Sequence, residues 1–330
     1  MEMPTSQLTG ITLKDMFDAG LHFGHQTKRW NPKMKGYIFD KRNGIHIIDL
    51  TQSVTLLDEA AAFLRDTVLA GKNILFVATK KQVAEMVKDA ATSVGQFYIT
   101  ERWLGGTLTN AKTIRSSVKR MRQLQATAKA NGGELSEHKQ EASMLRRELA
   151  KLEKNLTGIA DMAEQPGAVV VVDVVREANA VKEAVRLHIP VVAIVDTNAD
   201  PEPIDYVIPG NDDSVRGVEL ILNGLTKVVK TAADEYSAKA AEESKKREAA
   251  RKERDDAEKA ARAERKAKSA AKKPAAGAAK KATVAVNVKA AARAAKEAAE
   301  AKAKADLEAK RQAAVVEAEA AVAAAAPAAE

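Results

Sequence analysis

Two stretches of this 330-residue chain are almost unbroken runs of β-branched residues, AVVVVDVV at 168–175 and VVAIV at 191–195. A strand with one face in water alternates apolar and polar residues, whereas a strand that does not alternate is covered on both faces. NILFVAT (73–79) and IDYVIPG (204–210) have the same character, and segments of helical spacing lie between these runs. Doubly covered strands joined through helices make a parallel sheet with right-handed crossovers. The expected fold class is therefore α/β, a parallel sheet flanked by helices.

The intervening segments support this. From Thr51 to Ala70 apolar residues fall at Val54, Leu57, Ala61, Leu64 and Val68, and Gly71 follows as a stop. Helices are likewise expected in KKQVAEMVKDAATSVG, over 177–187 and over 214–230. GIHIIDL (44–50) and QFYIT (96–100) read as strands. Thr12 with Asp15 three residues on is a capping box, so a short helix should precede Gly20.

Residues 108–160 break the rhythm. Ile114, Val118, Met121, Gln125 and Ala128 recur at spacings of four and three. After NGGE the pattern resumes at Ala142, Leu145, Leu149, Leu152, Leu156 and Ile159. That is the seam of an antiparallel coiled-coil hairpin inserted into the sheet domain. Its first arm carries Lys112, Arg115, Lys119, Arg120 and Arg122 with no acid between them. The expected division is 1–107 for the first part of the α/β domain, 108–160 for the hairpin, 161–230 for the second part, and 231–330 for a tail.

The tail is set apart by composition: 42 of its 100 residues are Ala, and Lys, Arg, Glu and Asp supply most of the rest. Such a segment cannot bury a core, and it is read as disordered or as a single solvated helix, with a nonspecific RNA-binding tail as the alternative. Charge is also unevenly spread, with 19 basic and 11 acidic residues in 1–130 but 11 and 17 in 131–230. A basic first part points to a polyanionic partner. The chain has no cysteine, which excludes thiolate metal sites and a Cys nucleophile. No signal-peptide pattern and no 18-residue apolar run occurs, so a cytoplasmic protein with no membrane partner is expected.

The most unusual segment is GLHFGHQTKRWNPKMK (20–35), with Lys28, Arg29, Lys33 and Lys35, two His, a Phe and Trp30, and no acid. Three readings compete. His22 and His25, with Asp196 at a strand end, could form a metal site or the pocket of an enzyme acting on a phosphorylated small molecule. Against this, Gly20 and Gly24 favour a loop, no phosphate-binding glycine motif occurs in the chain, and Asp196 is read rather as a cap of the loop that follows it. A second reading, a membrane-surface or cytoskeletal scaffold, would work through the tail. The third is nucleic acid: the cations meet phosphates, Trp30 stacks on a base or sugar or else anchors the core, and Asn31-Pro32 stiffens the loop. Arg102 beside Trp103, then Lys112, Arg115 and Lys119, repeat the theme, and no helix-turn-helix or zinc-finger pattern directs it to duplex DNA. A structured RNA is the expected partner.

Four long blocks then carry a resemblance: LHFGHQTKRWNPKMKGYIFDKRNGIHIIDL, ILFVATKKQ, RWLGGTLTNAKTIRSSVKRMRQL, and PGAVVVVDVVREANAVKEAVRLHIPVVAIVDTNADPEPIDYVIPGNDDSVR. Together these resemble the bacterial small-subunit ribosomal protein S-two family over roughly residues 8–230. The resemblance implies a flavodoxin-like domain with a protruding coiled-coil hairpin. It also implies a structural, non-enzymatic role with no cofactor and no small-molecule substrate. The implied partners are 16S ribosomal RNA near the junction of head and body, ribosomal protein S-one, which it helps recruit, and neighbouring small-subunit proteins. The tail departs from the family pattern, and Ala111 stands where Phe is expected. Lys28, Arg29, Trp30, Lys33, Lys35, Arg102, Lys112, Arg115 and Lys119 are the expected RNA contacts.

Overall fold

A computed structural model describes residues 5–271 of the chain. The chain divides into two units, Met1–Lys245 and Lys246–Glu330, and the sheet fold belongs to the first. Five strands, β4 (Ile74–Val77), β5 (Phe97–Ile99), β6 (Ala168–Val172), β7 (Val191–Val195) and β8 (Tyr206–Pro209), pair in parallel in the order β5-β4-β6-β7-β8. Counted along this sheet the order is 2-1-3-4-5, that of flavodoxin-like doubly wound folds. Every residue of β4, β6 and β7 is buried, as the unalternating runs require.

Successive side chains of these strands enter two different cores. Ile74, Phe76, Val170, Val172, Val192 and Ile194 face α1 (Leu13–Asp18), α2 (Leu50–Leu69), α3 (Ala84–Ser93) and α7 (Val215–Ala271). Leu75, Val77, Val169, Val171, Ala193 and Val195 pack with residues of α4 (Ala111–Ala130), α5 (Lys139–Leu156) and α6 (Ala178–Arg186). Each fully buried Val contributes about 1.5–3 kcal/mol, so these strands fix the fold. The capping box forms at Thr12, where its hydroxyl accepts from the Asp15 N–H and the Asp15 carboxylate accepts from the Thr12 N–H.

The helices α4 and α5 lie against each other through an Arg120–Glu148 ion pair (3.0 Å) and a Gln125–Glu153 hydrogen bond (2.8 Å). Val118, Met121 and Leu156 tie them into the second core, and Ile159, in the 3-10 turn after α5, joins it as well. The compositional border at 231 falls inside α7, whose Ala232 is buried in the first core; residues 272–330 of the tail lie outside the described residues.

The region before α2 differs from expectation. GIHIIDL does supply a strand, β3 (Ile45–Ile48), but 20–35 is not simply a loop. It contributes β1 (Phe23–Gln26) and a 3-10 turn at Pro32–Tyr37, and β2 (Ile38–Arg42) follows. The three strands form a separate antiparallel sheet in the order β1-β3-β2. A two-residue turn at Asn43 (φ 51°) and Gly44 (φ 75°) joins β2 to β3, the positive-φ pair that the right-handed twist of a hairpin favours.

Candidate nucleic-acid interface

The cation-bearing segment is fastened to the carboxyl end of β7. The backbone N–H of His25 donates to the Thr197 hydroxyl (2.9 Å), and that of Asn31 to the Thr197 carbonyl (2.8 Å). Nδ1 of His25 lies 2.8 Å from Oδ2 of buried Asp196. Only glycine fits at position 24, because a Cβ there would lie 2.6 Å from Thr197 Cγ2 and 3.1 Å from the His46 carbonyl. Pro32 opens the 3-10 turn, and the Asn31 side chain caps it by accepting from the Lys33 N–H (3.0 Å). The segment is thus ordered before any ligand arrives.

Along it, Lys28, Arg29 and Lys35 are exposed, with no side-chain partner among the described residues. Lys33 differs: its ammonium is shared by Asp200 (2.9 Å) and Glu202, whose carboxylates raise its pKa. Trp30 is half-buried, its ring 5.2 Å from that of His46.

Arg102, Lys112, Arg115 and Lys119 are all exposed. Arg115 donates to the Ala163 carbonyl (2.5 Å), and Arg122 pairs with Asp161 (2.6 Å) and the Ala160 carbonyl (2.9 Å), so these two guanidinium groups hold segment 160–163 to α4. Arg102, Lys112 and Lys119 have no such internal use among the described residues. Trp103, by contrast, is buried, and its Nε1–H donates to Glu183 (2.9 Å).

The histidines do not act as a pair. His22 stacks on Phe17 (ring centroids 4.2 Å apart), and burial holds its pKa below the usual value. His25 instead faces Asp196, Asp212 and Asp213, and its pKa is raised, chiefly by its contact with Asp196. His25, Asp212 and Asp213 are the one group among the described residues with three ligand-type atoms within 4.8 Å of each other. Lys80 already supplies positive charge there: it donates to the Asp212 carbonyl (2.8 Å) and pairs with Asp213. Asp196 serves as the loop cap, accepting from the N–H and hydroxyl of Thr197. The enzyme reading built on His22, His25 and Asp196 finds no support in this arrangement.

Sequence reasoning missed Glu183, Lys80, Asp212 and Thr197. Glu183 sits in an ordinary amphipathic helix and Thr197 follows an ordinary strand, and neither carries a local signal. Lys80, in the turn after β4, follows a strand in a segment with no glycine motif and carries no local signal either.

What the fold and this surface define is a doubly wound scaffold that displays cations from a secured segment and from one helix. The family model described as ribosomal protein S2 matches residues 16–232. The small ribosomal subunit protein uS2 of Corynebacterium jeikeium is 51% identical over 224 residues, covering 68% of this chain and 79% of that protein. The uS2 protein of Mycolicibacterium gilvum is also 51% identical, over 68% of this chain and 79% of its own length. The uS2c protein of Cyanophora paradoxa is 50% identical over 66% of this chain and 94% of its own length. The chain belongs to the ribosomal protein S2 family, whose members are structural, non-enzymatic proteins of the small ribosomal subunit.

Proposed function

We propose that the protein is built into the cytoplasmic small ribosomal subunit through 16S ribosomal RNA near the head–body junction. Lys28, Arg29, Trp30, Lys33 and Lys35 form one contact, and Arg102, Lys112, Arg115 and Lys119 the other. The observation that carries this reading is that Lys28, Arg29 and Lys35 have no side-chain partner among the described residues, while the backbone of their segment is bonded to Thr197 through the amides of His25 and Asn31. Cations held ready in this way release counterions on meeting phosphate and lose little ordering entropy. The helices of 108–160 act as a coiled-coil arm that carries the second group.

Protein neighbours use a different surface. Phe17, Phe23 and Phe39 are exposed around a cavity of about 540 Å³ that also borders His22 and Ile47. A cluster of exposed aromatic rings fits a protein partner rather than solvent, as recruitment of ribosomal protein S-one requires. Sedimentation through a sucrose gradient at moderate salt tests the proposal. The protein is expected to travel with small subunits, and recovery only in free fractions would overturn it.

A further inference from the structure

We propose that Glu183 is a positioning residue for RNA contact, its one carboxylate fixing the Trp103–Thr109 loop so that Arg102 and Lys112 stand at a set spacing. The inference rests on the RNA-binding reading above. Oε1 of Glu183 accepts from Trp103 Nε1 (2.9 Å) and the Gly106 N–H (2.8 Å). Oε2 accepts from the N–H groups of Leu108 (3.0 Å) and Thr109 (3.1 Å) and from the Thr109 hydroxyl (3.0 Å). Five donors converge on a group with about four lone-pair sites, so its acceptor capacity is filled.

Between β5 and α4 this loop has no strand or helix of its own, and it contains Gly105 and Gly106. Without the carboxylate, its N–H groups would turn to water and the loop would sample many conformations. Arg102 immediately precedes the fixed loop, and Lys112 stands in the first turn of α4 just after it; both are exposed and without internal partners among the described residues. Burial alone would raise the pKa of Glu183, but the bonds from Trp103, Thr109, Gly106 and Leu108 outweigh it and keep the group ionised at neutral pH.

A double-mutant cycle on the full chain tests this, with dissociation constants for 16S ribosomal RNA measured by filter binding at several salt concentrations. Glu183→Gln keeps the shape but replaces one acceptor oxygen with a donor. It is expected to weaken RNA binding by about 3- to 10-fold and to speed hydrogen exchange at the amides of 106–109. Combined with Arg102→Ala it should add little further loss, whereas combined with Lys28→Ala the losses should multiply. A purely structural role would not show that difference in coupling. Should Glu183→Gln fail to fold, Trp103→Phe removes a single donor and is expected to act in the same direction more weakly. Unchanged binding by the Gln variant, or losses that multiply with Arg102→Ala, would overturn the inference alone. Arg102→Ala and Lys112→Ala variants that bind like the parent would remove the RNA reading of this loop, and the inference with it.

Discussion

Nδ1 of His25 and Oδ2 of Asp196, separated by 171 positions in sequence, lie 2.8 Å apart at the carboxyl end of β7. Asp196 is fully buried and His25 carries the first residues of the cationic segment, so this contact joins the scaffold to the surface it presents. Asp196→Asn is expected to lower unfolding stability by about 1.5–3 kcal/mol, the range for hydrogen bonds to charged groups. Urea denaturation measures the loss, and hydrogen exchange should localise the loosening to residues 23–35.

Gly24 provides a steric test of the same junction. A methyl at that position would press on Thr197 and on the His46 carbonyl. Gly24→Ala should therefore cost about 1–3 kcal/mol through forced backbone shifts. RNA affinity is expected to fall with it, although no cation is altered.

The pH dependence has a definite sign. Burial first, then Asp173 and Asp196, push Asp212 from its ordinary 3.8 up to about 7, and His25 is also raised from 6.5. In both cases the folded chain keeps a proton that the unfolded chain has released, so stability falls as pH rises. For Asp212 the loss runs from about pH 4 to about 7, and for His25 it begins near 6.5 and continues upward. Asp212→Asn is expected to be more stable than the parent at pH 7.5 and to decline less steeply between about pH 4 and 7. Denaturant midpoints at several pH values check this.

The cations should not be equivalent. Lys28 and Arg29 have no side-chain partner among the described residues, whereas Lys33 is shared by Asp200 and Glu202. Each lost phosphate contact lowers the salt slope of binding by roughly 0.7–0.9. Lys28→Glu with Arg29→Glu is expected to impair subunit incorporation strongly, and Lys33→Ala only weakly. Salt-dependent RNA binding and gradient sedimentation measure both.

The positions of truncation matter as well. A chain ending at Lys245 keeps Ala232 and Tyr236, the latter with its ring against Gly71. A chain ending at Lys230 loses both, at about 1–2 kcal/mol of buried surface. The longer form is expected to melt like the full chain and still enter subunits, while the shorter form melts lower.

The parallel sheet could be read directly from its residues, because strands covered on both faces have no reason to alternate. The small antiparallel sheet was harder: Phe23–Gln26 is short, half exposed and contains a glycine, so nothing periodic marks it. The hairpin's one local sign is the Asn43-Gly44 pair between the IFDKR and IHII segments, a two-residue positive-φ turn. At the surface, sequence identified where positive charge lies but not which charges are occupied. Lys33 and Lys35 look alike in the chain and differ only because Asp200 and Glu202 fold back to the first. Trp103 likewise looked like an RNA-facing aromatic until Glu183, 80 residues later, proved to hold it inside.

The bond between the His25 amide and Thr197 spans 172 residues of chain. During synthesis the amino-terminal cations leave the ribosome long before Thr197 has been translated. A nascent chain therefore has the charge to attract RNA but lacks the shape to grip it until β7 is complete. Under the proposed RNA contact, tight binding would report that the sheet has been finished and would favour whole molecules over fragments at the point of assembly.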